Sequence, residues 1–284
     1  MSKHACSKTE GGVSALQPKD SRFSSIKALW IDVDQTLLDF DACARDALID
    51  TFAWAGLPWK EAYFQIFLQV NAGLWDQIEE GTMTRKQLQE KRFPALFSAW
   101  NLPEETVFEN GRTIAGYEGH FSGVLHESAH PLAGSKEALQ RFQKQNMPLF
   151  IISNGPAAGQ KRRLEKAGML SCFLDVYTSQ DFGAAKPDPA FFEHALSACS
   201  KSLKTELKPE EILVIGDSWK ADITGALAFG APSIWLRTNR QHDPFEKPEH
   251  ENVLEADSWN DILHLLGMKE GSSNTCLVSG AETD

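Results

Sequence analysis

Two carboxylates separated by a single residue, Asp32 and Asp34, come immediately after the apolar run Ala28–Ile31. Three more polar groups follow other apolar runs in the same way. Ser153-Asn154-Gly155 follows Leu149–Ile152, and Lys186-Pro187-Asp188-Pro189 lies beyond Leu174–Thr178. Gly216-Asp217-Ser218, with Asp222 four residues on, follows Ile212–Ile215. Each group taken singly reads as an ordinary turn, helix cap or solvated surface charge. Their order and common placement at strand ends supply together what one reaction needs, the transfer of a phosphoryl group to a carboxylate.

A phosphate monoester is a dianion that repels an attacking carboxylate, so such a site depends on cations and preorganised donors. Asp32 is the candidate nucleophile. Asp34, two residues on, is placed to protonate the leaving oxygen and later to deprotonate the attacking water. Mg²⁺ takes hard oxygen ligands, and Asp32, the carbonyl of Asp34 and Asp217 can supply them. Lys186 adds a second cation for the phosphate. The Ser153 hydroxyl and the Asn154 backbone N–H can donate to phosphoryl oxygens, and Asp222 is suited to orient Lys186 or metal-bound water.

These residues need a scaffold that brings strand ends together. Ala28–Val33, Pro148–Ser153, Ile212–Gly216 and Ser233–Leu236 are short apolar runs separated by helical patterns. They predict an α/β fold, a Rossmann-like doubly wound parallel sheet covered on both faces. Helices are expected over Ser135–Gln145 and over Lys161–Ala167, closed by Gly168, with a further helical start at Pro209-Glu210-Glu211. Residues 40–129 contain no clear strand but carry amphipathic stretches at Ala42–Ala55, Lys60–Asn71, Thr84–Trp100 and Glu104–His120, with Thr84 and Gln87 spaced as a capping box. This block reads as an α-helical cap inserted into a core of residues 26–39 and 130–267, over the carboxyl ends of the strands. Residues 1–25 and 268–284 read as a mobile leader and tail.

A 284-residue chain with 42% hydrophobic residues can bury a sizeable core. A net charge of −11 argues against binding a nucleic acid polymer. Neither a secretory h-region nor a membrane-length apolar run is present, so no membrane partner is expected. Cys6, Cys43, Cys172, Cys199 and Cys276 are scattered without a C-x-x-C pair, which fits reduced thiols in the cytoplasm.

The four groups in this order resemble the motifs of the haloacid dehalogenase superfamily of phosphohydrolases, matching at Asp32/Asp34/Thr36, Ser153, Lys186 and Asp217/Asp222 across about residues 26–267. The resemblance implies a Mg²⁺-dependent phosphomonoesterase working through an aspartyl-phosphate, with Thr36 and Asp222 in supporting roles and the helical block as its cap. Asp34 favours phosphatase over carbon–halogen chemistry, since the founding dehalogenases lack that second Asp. Gln35 stands where the superfamily usually has Gly. In the cap, Val70-Asn71-Ala72-Gly73-Leu74-Trp75 and Gly81-Thr82-Met83-Thr84 resemble pyrimidine 5′-nucleotidases, which implies a small phosphorylated metabolite, a nucleotide, as partner. Sugar phosphates or phosphoglycolate are the alternative substrates, and a non-catalytic protein of the same fold is a third reading.

Cap aromatics, from Phe52 to Trp100, are spaced as a buried core. Phe40, Asn71 and Trp75 are the candidates for selecting a substrate, by stacking or lining the entrance. Arg162 and Arg163 read as helix-surface charge, and His120, His126 and His130 as loop or interdomain histidines.

Overall fold

The structure, a computed structural model, describes residues 23–238 and 250–268. The expected leader and tail, with Cys6 and Cys276, lie outside these apart from residues 23–25 and 268. Phe23, assigned to the leader because its neighbours are polar, is buried in the core, as is Met268. One apolar side chain in a polar stretch is enough to be recruited when it covers the edge of a core.

From β1 (Ala28–Ile31) the chain enters the helical block of α1 (Phe40–Trp54), α2 (Glu61–Glu79), α3 (Arg85–Ala99), the single turn α4 (Glu104–Val107) and α5 (Ile114–Glu127). It returns through α6 (Ser135–Lys144) to β2 (Leu149–Ser153), α7 (Ala157–Lys166), β3 (Asp175–Thr178), the short α8 (Ser179–Phe182) and α9 (Pro189–Leu203). After β4 (Ile212–Gly216) a π-helical turn, Trp219–Ile223, runs into α10 (Thr224–Phe229). The chain closes with β5 (Ser233–Leu236), β6 (Val253–Ala256) and α11 (Trp259–Leu265). Among the described residues no helix is long and apolar enough to cross a membrane.

Among the described residues six strands form one sheet, all parallel, in the order β3-β2-β1-β4-β5-β6. The sheet grows outward from β1 in both directions, so the connection reverses sense between β1 and β4, the place where open α/β sheets form a ligand crevice. Side chains alternate across it. Leu29, Ile31, Leu149, Ile151, Leu213 and Ile215 pack on one face with Leu139, Phe142 and Trp259. Ala28, Trp30, Phe150, Ile152, Ile212 and Val214 pack on the other with Phe191 and Phe192. Burial on both faces is why these strands read as unbroken apolar runs. β6 escaped the sequence reading because, as the edge strand, it is only half-buried.

Several helix boundaries differ from expectation for local reasons. Pro209–Glu211 forms a 3₁₀ turn, because Ile212 already belongs to β4. α7 starts four residues before Lys161, immediately behind Pro156. α2 continues through Gly73 to Glu79. The stretch expected as one helix from Glu104 to His120 is broken where Asn110 and Gly111 take positive φ angles of 59° and 72°. Thr84 and Gln87 do form the capping box of α3.

The helical block has its own aromatic core, including Phe52, Phe67, Phe93, Phe97, Trp100, Tyr117 and Phe121. Its two connections to the sheet run side by side, with the Asp39 N–H donating to the His130 carbonyl at 2.8 Å and that of Leu132 to Leu37 at 2.9 Å.

Candidate active site

The loop after β1 is tied down from three sides. The Asp32 N–H donates to the Ile215 carbonyl at 2.9 Å, extending the β1–β4 ladder by one residue, and Leu37 and Leu38 close back onto the Val33 carbonyl. Trp259 Nε1, from α11, donates to the Thr36 carbonyl at 2.7 Å. Gln35 takes the left-handed conformation with φ 58°, which explains why a glycine would suit this position.

Asp32 (end of β1) and Asp217 (end of β4) therefore meet at the crevice, joined by Asp222 from the π-helical turn. One carboxylate oxygen from each lies within 4.8 Å of the other two. Lys186 reaches them from the loop before α9. It is 2% exposed, and its Nζ donates to Asp32 Oδ1 at 2.7 Å, Asp222 Oδ1 at 2.6 Å and the Ile152 carbonyl at 3.1 Å. Thr36 Oγ1 donates to Asp217 Oδ1 at 3.2 Å, and the Ser218 N–H to Asp222 Oδ2 at 3.1 Å. A side chain at Gly216 would collide with the Asp222 carboxylate, so the glycine is what lets the π-helical turn close on the strand end.

Three clustered carboxylates face one ammonium, and the imbalance shows in their ionisation. Burial pushes Asp32 up to about 8, against the pull of Lys186, with the charges of Asp222 and Asp34 adding to the rise. Burial and the charges of Asp32 and Asp222 raise Asp217 well above the carboxylate range. Burial alone would lower the Lys186 ammonium, but Asp222 and Asp32 outweigh it and hold it above its ordinary value. A hard, all-oxygen donor set short of positive charge fits a divalent cation such as Mg²⁺.

The carboxylate of Asp34 is held by a different set of partners. Its Oδ1 is gripped by Arg163 Nη1, and Gln160 Nε2 donates to its Oδ2 at 2.7 Å. Arg163 is therefore not surface charge. It is 3% exposed, whereas its neighbour Arg162 is exposed and paired with Glu127 at 2.8 Å. One step along a helix turns a side chain by about 100°, so two adjacent arginines have opposite fates. Their sequence alone does not say which one faces inward.

Ser153 Oγ accepts from the Gly155 N–H and from Gln160 Nε2, both at 3.0 Å, and keeps its own proton for an incoming oxygen. The Asn154 side chain is committed to Lys186, with Nδ2 donating to the Lys186 carbonyl and Oδ1 accepting from its N–H, each at 2.9 Å. That brace fixes the backbone of Lys186.

Asp34 opens onto a cavity between the helical block and the sheet. Phe40 and Trp75 line it, as do Arg85, Arg92 and Glu118, which the sequence reading missed. Asn71 does not line it. It is buried one helical turn from Trp75, and its Oδ1 has no partner. Most other cap aromatics belong to the block's own core, while Trp54 is exposed and stacks on His120 at 4.8 Å. The three histidines are scattered. His120 pairs with Asp50 and His130 with Asp46, while His126 lines the cavity.

A family model for haloacid dehalogenase-like hydrolases matches residues 26–230. The chain is 28% identical to the pyrimidine 5′-nucleotidase PynA of Streptococcus pneumoniae, over 84% of this chain and 94% of that one. It is also 28% identical to the pyrimidine 5′-nucleotidase YjjG of Escherichia coli, over 76% of this chain and 88% of that one. Among solved structures it resembles the magnesium-bound HAD-hydrolase YfnB of Bacillus subtilis, with a TM-score of 0.71 at 28% identity, covering 85% of this chain and 98% of that one.

Proposed function

Because the chain belongs to the haloacid dehalogenase-like hydrolase family, we propose that it is a Mg²⁺-dependent phosphomonoesterase acting on pyrimidine nucleoside 5′-monophosphates. The observation that supports this reading is the separate placement of two carboxylates. Asp32 lies in the charged cluster at the sheet, while Asp34 is turned toward the cavity by Arg163 and Gln160.

In the first half-reaction an oxygen of Asp32 bonds to phosphorus as the bond from phosphorus to the ester oxygen breaks. Protonated Asp34 gives its proton to the departing alkoxide. In the second, water attacks the aspartyl-phosphate, Asp34 takes a proton from it, and cleavage of the bond to Asp32 releases phosphate and restores both carboxyl groups. Ser153 donates its free hydroxyl proton to a phosphoryl oxygen, and Lys186 contributes positive charge. Held by Asp32, Asp217 and the Asp34 carbonyl, Mg²⁺ would offset the negative charge brought together when phosphate meets the carboxylates.

The cavity supports an anionic, ring-bearing substrate. Arg85, Arg92 and Arg163 face only Glu118 and Asp34 there, an excess of positive charge in a chain of net charge −11. Phe40 and Trp75 offer flat apolar faces there that phosphoglycolate would not need. The buried free thiols of Cys43 and Cys199 support a reducing, cytoplasmic setting.

The test is a panel of UMP, dUMP, dTMP, ribose 5-phosphate and phosphoglycolate with Mg²⁺, repeated in EDTA. The pyrimidine nucleotides are expected to have the highest kcat/KM, and EDTA to abolish turnover until Mg²⁺ is restored. Faster hydrolysis of the sugar phosphate or of phosphoglycolate overturns the nucleotidase reading.

A further inference from the structure

Arg85, Leu88, Gln89 and Arg92 occupy one face of α3, at i, i+3, i+4 and i+7, and all four line the cavity. Glu118 and Ser122 approach from α5. Arg92 and Glu118 are each 6% exposed and form an ion pair, Nη2 to Oε1, at 3.4 Å. Ser122 Oγ donates to the same carboxylate oxygen at 3.1 Å. The pair is only half satisfied. Arg92 Nε and Glu118 Oε2 are buried and have no hydrogen-bond partner.

A buried ion pair offsets its desolvation only when its remaining donors and acceptors are also met. Here a donor and an acceptor on adjoining side chains are left unmet just behind the wall of a cavity whose apolar lining includes Phe40, Trp75, Leu88 and Leu125. Such an arrangement serves a ligand that brings a complementary acceptor and donor of its own. Among the described lining residues the carboxylates are Asp34 and Glu118, and Glu118 lies within range of the charges of both Arg92 and Arg85.

Resting on the nucleotidase reading above, we infer that Arg92 and Glu118 read the imide edge of uracil or thymine. That edge is an N–H between two carbonyls. Glu118 accepts from N3–H, Arg92 donates to one neighbouring carbonyl, and Arg85 or Gln89 donates to the other. The pyrimidine ring lies against Phe40 and Trp75, while the 5′-phosphate lies toward Asp32. Discrimination then comes from the polar groups left unpaired when the wrong edge enters, a penalty that apolar stacking alone does not impose.

The test compares UMP with 3-methyluridine 5′-monophosphate, which has a methyl group in place of the N3 proton, on the full-length wild-type enzyme with Mg²⁺. The methylated nucleotide should lose about tenfold or more in kcat/KM. In the paired variant Arg92→Met/Glu118→Leu, which removes both charges together and so avoids leaving one buried alone, the ratio between the two substrates should collapse to about threefold or less. Equal hydrolysis of the two nucleotides by the wild-type enzyme overturns the inference without needing any variant to fold. A ratio that persists in the paired variant also overturns it. If UMP is not hydrolysed while another phosphomonoester is, the nucleotidase reading itself falls, and this inference with it.

Discussion

Lys186 and Asp32, 154 positions apart in the chain, meet through a 2.7 Å hydrogen bond from Nζ to Oδ1. Asp222 and the Ile152 carbonyl take the other two ammonium protons, so all three donors of Lys186 are in use. In the proposed reaction Lys186 would therefore act on an incoming phosphoryl group through its charge, or by exchanging one of these partners. Braced by Asn154 along its backbone, it is the one ammonium among three carboxylates.

Asp32→Asn should lower kcat for UMP by about 10⁴-fold or more, the scale seen when a nucleophile is removed. The fold should persist, because the exchange is nearly isosteric and Asp222 still pairs with Lys186. A melting temperature within about 4 °C of wild type, measured beside steady-state hydrolysis, separates lost chemistry from lost structure. Undiminished turnover in this variant would rule out Asp32 as the nucleophile.

Arg163 positions Asp34 and does not itself meet the reacting atoms in this reading. Arg163→Met should reduce kcat by about 10- to 100-fold with a much smaller change in KM, since misplaced proton transfer slows the chemical step more than it weakens ground-state binding. Arg163→Lys should restore part of kcat by returning a cation to the Asp34 oxygen. Loss of stability with kcat unchanged in the folded fraction would reduce Arg163 to a structural residue.

Glu79, at the end of α2, has its carboxyl pushed up to about 7, first by burial and then by the charge of Asp222, against the pull of Lys220 and Lys186. Its folded value lies above its unfolded one, so the protonated form is favoured by folding. This contribution is complete below the unfolded pKa and is lost as pH rises through about 7. In EDTA, Glu79→Gln should match wild type near pH 5 and exceed it by about 1–2 kcal/mol at pH 8, a figure reduced for partial solvent screening. Thermal melts across that range check it. A variant equally stabilised at both pH values would show that ionisation is not the cause.

Gln35 holds a φ of 58° in the turn between Asp34 and Thr36. Gln35→Gly removes the Cβ strain of the left-handed conformation, which exceeds the extra chain entropy of glycine at such a position, for a gain of about 0.5–1 kcal/mol. The expected reading is a rise in melting temperature of about 1–4 °C. A fall would mean that the Gln35 side chain, beyond its backbone, holds the turn.

Much of the sheet was legible in the residue types alone. Strands buried on both faces must be apolar along their whole length, so Asp32, Ser153 and Asp217 stand out where those runs stop. The parallel sheet then obliges those ends to share one edge. Half-buried β6 lacks that contrast, and the break at Asn110-Gly111 depends on backbone angles that composition only hints at.

The amino-acid sequence by itself determined which carboxylates and hydroxyl stand at the strand ends, because burial and strand length constrain residue type locally. Tertiary structure decided which face each helix turns inward. At about 100° per residue, that choice sends Arg163 to Asp34 and Arg162 to solvent, while position along α2 decides that Trp75 lines the cavity and Asn71, one turn earlier on the same side, is buried away from it. It also brings Arg92 to Glu118 from separate helices. Pairings of that kind come from packing between distant segments, which no local pattern encodes.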